Sequence, residues 1–346
     1  MNDETPLNTS GFEAIAQATK NLYPGQEGLY YGTIVPYALG GGDPLDGVEV
    51  WESSRGLPHW HYVTYGFTEL YEKESEDPQE SGYGFELTFR LARGPETQPP
   101  TWPIGLLQNL ARYVFASGNR FGPGHHMSCN GPIALDSGTR LTALGFRMDP
   151  ELGELDTPNG HLIFLQAVGL TEDEMDAMMC WNGTAFLREM EGHIPLCVTC
   201  LDRPSLMEEA SFRQVWQAGM ERDGSSTSFL YVQELETRLE QDRGWLRLGV
   251  GHGRILTNML LARVGKGRAL YLQGKGAAVF SPGSMAKAAL EDGVLSIAIP
   301  PEALPELCAA LQGHKGIYPL SELPLTVELV PTTITDRDGK VLEALQ

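Results

Sequence analysis

A mixed α/β fold in two domains is what the sequence predicts, and three observations lead to it. The 346 residues exceed the size at which one hydrophobic core usually keeps growing. Runs of apolar residues with the period of a strand alternate with runs of helical period in both halves of the chain. A polar Gly/Ser-rich stretch at residues 221–228 (ERDGSSTS) interrupts the pattern and reads as a short linker. The expected domains are residues 1–224 and a smaller 225–346, each a mixed sheet packed with helices.

The elements follow in order. A helix is expected over residues 12–22, because Phe12, Ile15, Ala16, Thr19 and Leu22 share one face, Thr9 or Ser10 can cap it, and Pro24-Gly25 stops it. Strands are expected at 29–37, 48–51 and 60–67, the first two separated by Gly40-Gly41-Gly42-Asp43-Pro44. Residues 72–79 (EKESEDPQ) read as a solvated loop. In 85–91 the residues Phe85, Leu87, Phe89 and Leu91 face one way and Glu86, Thr88 and Arg90 the other, the period of a half-buried strand. After Pro99-Pro100-Thr101-Trp102-Pro103 a helix runs to about Phe115, burying Leu106, Leu107, Leu110, Ala111 and Val114. Residues 162–170 form an apolar strand. Thr171-x-x-Glu174 and Ser205-x-x-Glu208 are capping boxes that open helices. Beyond the linker come strands at 229–232, 245–250, 269–272, 277–280, 294–299 and 325–330, and helices at 285–290 and 303–311.

Composition narrows the function. Hydrophobic residues make up 42% and charged residues 20% of the chain, enough for a core without disulfides or metal. With 45 Asp+Glu against 25 Lys+Arg the net charge is −20, which repels phosphate backbones and anionic membranes. A basic protein partner would instead be steered in by the same field; the plainer reading is that the charge serves solubility. Cys129, Cys180, Cys197, Cys200 and Cys308 are odd in number, which fits a reducing compartment. The amino-terminal residues carry acids and lack a signal-peptide core, and no apolar run is long enough to span a bilayer. The cytoplasm is the expected location.

Candidate chemistry is thin. His59-Trp60-His61 puts two imidazoles on one face of a strand, which could suit a metal, but no carboxylate or thiol sits at a typical ligand spacing nearby, and hydrogen-bonded aromatic residues at an edge are the better reading. The single Cys197-x-x-Cys200 lacks the second pair of a zinc site and reads as part of a strand, not as a helix amino terminus that would activate a thiolate. His125-His126 with Cys129 nearby sits in a loop-like stretch that suits a partner-facing surface better than a nucleophile–base pair. Gly249-Val250-Gly251-His252-Gly253 lacks the Lys-Ser/Thr of a phosphate-binding loop. No catalytic residue, cofactor or metal site is assigned.

Several segments taken together resemble the amino-terminal domain of the suppressor of fused family. They are GGDPLDGVEVW (41–51), PHWHYVTYGFTELY (58–71), SGYGFELTFRL (81–91), PPTWP (99–103), LARYVF (110–115), TPNGHLIFLQAVGLTEDEM (157–175) and WNG (181–183). Order and spacing agree over residues 10–225. The second half matches through GMERDGSS (219–226) and the His-Gly-Arg at 252–254.

The resemblance implies a non-catalytic adaptor of two α/β domains whose intervening cleft clamps an extended peptide of a zinc-finger transcription factor. Such a peptide is held as an added β-strand. Carried over position by position, it implies partner-binding roles for Tyr113, His125, Leu230 and Val232, and for Trp245, Leu246 and Leu248. At His125 the animal proteins carry an acid that pairs with a peptide histidine, and an imidazole cannot form that charge-assisted bond. The long insertion of the animal carboxy-terminal half is missing, along with any phosphorylation control it carries. Compactness and acidity resemble bacterial members, which implies an immunity protein that neutralises a toxin domain. The expected function is therefore a protein-binding or sequestering module. The alternative is a metal-dependent hydrolase using His59, His61, His125 or His126.

Overall fold

The computed structural model describes residues 8–35, 37, 41–335 and 341–345. Pro36 and Gly40, assigned above to the first strand and the turn after it, lie outside the described residues. The chain divides into two compact units. The first takes the described residues up to Met175 together with Gly183–Glu209; the second takes Asp176–Asn182 and the described residues from Ala210 on.

The first unit contains α1 (Ser10–Leu22), β1 (Leu29–Gly32), β2 (Gly47–Ser53), β3 (His59–Tyr65), β4 (Glu80–Ala92), α2 (Trp102–Ser117), β5 (His126–Ser128), β6 (Leu141–Met148), β7 (Glu154–Thr157), β8 (Gly160–Thr171), the start of α3 (Glu172–Cys180) and α4 (Gly183–His193). Its eight strands form one mixed sheet in the order β1-β2-β3-β4-β8-β6-β5, with β7 paired to β8. The β4–β8 pair is parallel and the others are antiparallel. Helix α2 has a proline in its first turn and ends on Gly118 in the left-handed region (φ 72°), whose N–H reaches Val114 O. It buries Leu107, Leu110, Ala111 and Val114 against Trp60, Tyr62, Phe85, Leu87, Phe89 and Leu91. Helix α1 covers the opposite face, with Ile15 against Val63, Tyr65 and Phe164.

Both faces of β4 are therefore closed. Glu86, Thr88 and Arg90 are 0% exposed, so the strand is not half-buried as its alternation suggested. A sheet covered by helices on both sides leaves no solvent face, and these polar residues enter a buried network instead.

The second unit contains α5 (Ala210–Asp223), β9 (Phe229–Tyr231), β10 (Glu236–Glu240), β11 (Arg243–Gly249), α6 (Gly253–Arg263), β12 (Leu270–Gln273), β13 (Ala277–Pro282), β14 (Lys287–Glu291), β15 (Val294–Ile299), α7 (Leu304–Leu311), β16 (Gly316–Pro319), β17 (Leu325–Val330), β18 (Thr332–Thr335) and β19 (Val341–Leu345). A five-stranded sheet runs β14-β15-β13-β12-β9, a four-stranded one β10-β11-β17-β16, and β18 pairs with β19. The absent side chain of Gly244 lets the two larger sheets approach: a Cβ there would stand 3.1–3.2 Å from Ile297, Leu295 and Leu325 methyls.

The expected helix at 285–290 is strand β14. Asp292 (φ 49°) and Gly293 (φ 79°) turn the chain so that Glu291 pairs with Val294. Two consecutive positive φ values make the tight hairpin turn that Asp-Gly favours, and this overrides the helical preference of Met285-Ala286-Lys287-Ala288-Ala289-Leu290. Ser205 opens a short 3₁₀ turn at Leu206–Glu208, and the helix proper begins only at Ala210. At Thr171 half of the capping box forms: Glu174 accepts from Thr171 N at 2.9 Å, and also from Arg203 and from Leu206 N.

Candidate partner-binding surfaces

The seven residues singled out for partner contact fall in both units. In the first, Tyr113 lies on the outer side of α2, 38% exposed. Its ring stacks on Phe121 (5.7 Å, 24°), and Phe121 stacks on Phe146 of β6 (4.2 Å, 14°). Asn119 Nδ2 donates to the Tyr113 hydroxyl at 3.1 Å. His125 is exposed and precedes β5, and its carbonyl accepts from Phe146 N at 2.9 Å. The Tyr113–Phe121–Phe146 stack therefore ties Tyr113 and His125 into one neighbourhood, and Phe121 is the member that sequence reasoning missed.

That neighbourhood borders a strand edge. β5 ends the sheet and pairs only with β6 among the described residues. Cys129 N donates to Thr142 O, so alternation directs the N–H of Ser128 away from β6. His126, two residues before Ser128, has a buried Nδ1 without a hydrogen-bond partner, and burial lowers its pKa to about 4.

In the second unit, β9 is the edge of the five-stranded sheet, paired in parallel with β12. Leu230 and Val232 are buried, and Val232 N donates to Gln273 O beside β12, so alternation turns the backbone groups of Phe229 and Tyr231, not theirs, to the edge. The outward side chains are Phe229, Tyr231 and, on β12, Tyr271, all exposed. Leu246 and Leu248 are fully buried on β11, inside the four-stranded sheet. Their side chains are core, because they alternate with outward-facing neighbours. Trp245 is such a neighbour: its Nε1 donates to Glu328 Oε2 at 2.9 Å, and the Arg238 guanidinium lies 4.3 Å from its ring centroid. It lines a concavity of about 640 Å³ with Glu240, Gln241, Arg243 and Thr326.

The histidines of the metal reading are placed otherwise. His59 and His61 lie on β3 between β2 and β4, not at an edge, and both are 0% exposed. His59 Nδ1 donates to Leu57 O at 2.6 Å, and its Nε2 accepts from Arg90 at 2.9 Å. His61 Nδ1 and the Tyr23 hydroxyl are 2.7 Å apart, while its Nε2 stands 3.2 Å from Asp149 Oδ2 without hydrogen-bond alignment. Arg90 also binds Asp149 through both carboxylate oxygens (2.9 and 3.0 Å) and Glu151 at 2.8 Å. Burial lowers both histidine pKa values, that of His59 to about 4. Burial alone would raise Asp149, but His61 and Arg90 outweigh it and hold the carboxyl well below the usual range. Among the described residues no three His, Cys, Asp or Glu side chains are grouped to hold a metal ion.

The other motifs are structural. Cys197 lies in a 3₁₀ turn at Pro195–Cys197, not in a strand. Its Sγ accepts from Arg147 at 3.0 Å, yet burial pushes the thiol up to about 11. Burial raises Cys200 too, so neither is an activated thiolate. All five cysteines are free. Val250–His252 forms a 3₁₀ turn leading into α6. No helix among the described residues is long and apolar enough to cross a membrane.

A family model described as Suppressor of fused protein matches residues 41–204. The human Suppressor of fused homolog is 37% identical over 239 residues, 63% of this chain and 49% of the human protein, and the mouse homolog gives the same figures. The chain thus spans about half the length of the curated relatives it matches. A chain in the crystal structure of the Sufu–Fu complex is 31% identical and superposes with a TM-score of 0.58, covering 62% of this chain and 99% of its own. Drosophila Suppressor of Fused superposes with a TM-score of 0.79 at 23% identity, covering 93% and 97% of the two chains, and so shares the fold.

Proposed function

The chain belongs to the suppressor of fused family, and from that premise we propose that it is a non-catalytic protein-binding module that holds an extended segment of its partner as an added strand. The observation that carries the reading is the edge strand β5, which borders exposed His125 and the half-exposed Tyr113 stack. Main-chain bonds at such an edge supply affinity, and the flanking side chains supply selectivity. The second exposed edge, β9 with Phe229 and Tyr231, offers the same chemistry in the other unit. The acidic balance favours a basic partner, either a regulator held out of action or a toxin domain neutralised. Five free thiols suit work in a reducing cytoplasm.

Capture from native extract, followed by titration of the recovered partner, tests this. Ser128→Pro removes an N–H that points away from β6 and should abolish binding while thermal unfolding stays near wild type. Tyr113→Ala should weaken binding by about 2 kcal/mol without loss of fold. A partner bound equally well by both variants would refute strand addition at β5. Catalysis found in a substrate screen, with no specific partner recovered, would refute the binding module altogether.

A further inference from the structure

A cavity of about 550 Å³ opens in the first unit between the end of β3, the start of β4 and the last turn of α2. Its wall is aromatic. Phe115 is the hub, with ring centroids 4.9 Å from Tyr83, 5.5 Å from Tyr37 and 6.2 Å from Phe67. Its rim is acidic: Asp46, Glu69, Glu72 and Glu74 line it against the single cation Arg120.

The carboxylates are not equivalent. Glu69 is saturated, accepting from Lys73 Nζ and from the backbone N–H groups of Glu74 and Ser75. Asp46 is not. Its Oδ2 accepts from the hydroxyls of Tyr30 (3.1 Å) and Tyr71 (3.0 Å), while its Oδ1 has no hydrogen bond among the described residues. Among the described residues an acceptor oxygen thus remains available beside the aromatic wall. One such face already holds a guanidinium: the Arg120 side chain lies 5.9 Å from the Tyr83 centroid and pairs with Glu80.

We propose that this cavity receives the guanidinium of an arginine carried by the protein partner, an inference that rests on the protein-binding reading above. Aromatic rings attract a cation at their faces, and burial of the pair strengthens that attraction. Arginine suits the site better than lysine because its planar fork stacks on rings while donating to a carboxylate. An anionic occupant would meet net negative charge, and a purely apolar one would leave Asp46 Oδ1 unpaired.

The test uses the full chain and two isosteric probes, N-acetyl-arginine amide and N-acetyl-citrulline amide, followed by two-dimensional amide NMR. The arginine probe should move the signals of Asp46 and Tyr83 saturably, and the uncharged citrulline probe should bind roughly tenfold more weakly. Asp46→Asn should bring arginine down to the citrulline level. If that variant disturbs the fold, because Tyr30 and Tyr71 lose a charged acceptor, Glu72→Gln/Glu74→Gln must still weaken arginine binding, since both side chains are exposed. Equal binding of the two probes, or shifts that avoid the cavity, overturns the proposal. A captured partner whose affinity is indifferent to Asp46→Asn refutes the arginine site and leaves the partner-binding reading standing.

Discussion

Arg90 sets the chemistry of the histidine pair. Its guanidinium donates to His59 and binds Asp149 and Glu151, so a fixed cation stands where a divalent metal would have to sit. Glu86, four residues earlier on the same buried face, presents the opposite case. It accepts from Thr64 Oγ1, Thr68 Oγ1 and the N–H groups of Gly66 and Thr68, yet burial outweighs these four donors and raises its pKa from 4.5 to about 7. A carboxyl raised in the folded state binds its proton more tightly there than when unfolded. Its contribution to stability is therefore complete below about pH 4.5 and disappears as the pH rises through 7. His59 and His126, both lowered to about 4 by burial, titrate with the opposite sign over an overlapping range, so the total curve conceals the effect. The difference between wild type and Glu86→Gln in urea unfolding isolates it. That difference should fall by about 3 kcal/mol between pH 4.5 and 7.5. A difference independent of pH would mean that Glu86 is ionised throughout.

At the scale of elements, what could be read was local and what could not was long-range. The alternation of Phe85, Leu87, Phe89 and Leu91 identified β4, but nothing near it announced that Glu86, Thr88 and Arg90 would be buried too. Their polar partners come from two segments, Thr64 and Thr68 at and just past the end of β3 for Glu86 and the turn at Asp149 for Thr88 and Arg90. Both are remote in the chain. Other information was present and unused. If Leu230 and Val232 face inward, period two requires Phe229 and Tyr231 to face outward, which is where they are. Asp292-Gly293 was likewise a stronger signal than the helical preference of the six residues ending at Leu290. The left-handed turn can be weighed directly, since no atom lies within 4 Å of a Cβ built on Gly293. Gly293→Ala should then lower stability by about 1–2 kcal/mol through backbone strain alone. Gly293→Asn should cost less, because Asn tolerates φ near its 79°. Equal urea midpoints for all three proteins would show that the β14–β15 turn tolerates any residue.

For the whole molecule, the resemblance carried the family, because matched motifs in fixed order report a fold that period and composition cannot specify. Charge then says how a partner arrives. A net charge of −20 over 346 residues sets up a field that accelerates encounter with a basic protein and that salt screens over a Debye length of about 8 Å at physiological ionic strength. Close contacts at a strand edge are screened much less, so salt should act on arrival and not on departure. Stopped-flow or surface-binding kinetics with the captured partner should show the association rate constant falling roughly tenfold or more between about 50 and 500 mM NaCl, with dissociation changing little. An association rate insensitive to salt would assign the acidic surface to solubility alone and remove the argument for a basic partner. A dissociation rate that rises steeply with salt would shift the binding energy from main-chain pairing to exposed ion pairs, and strand addition would no longer account for affinity.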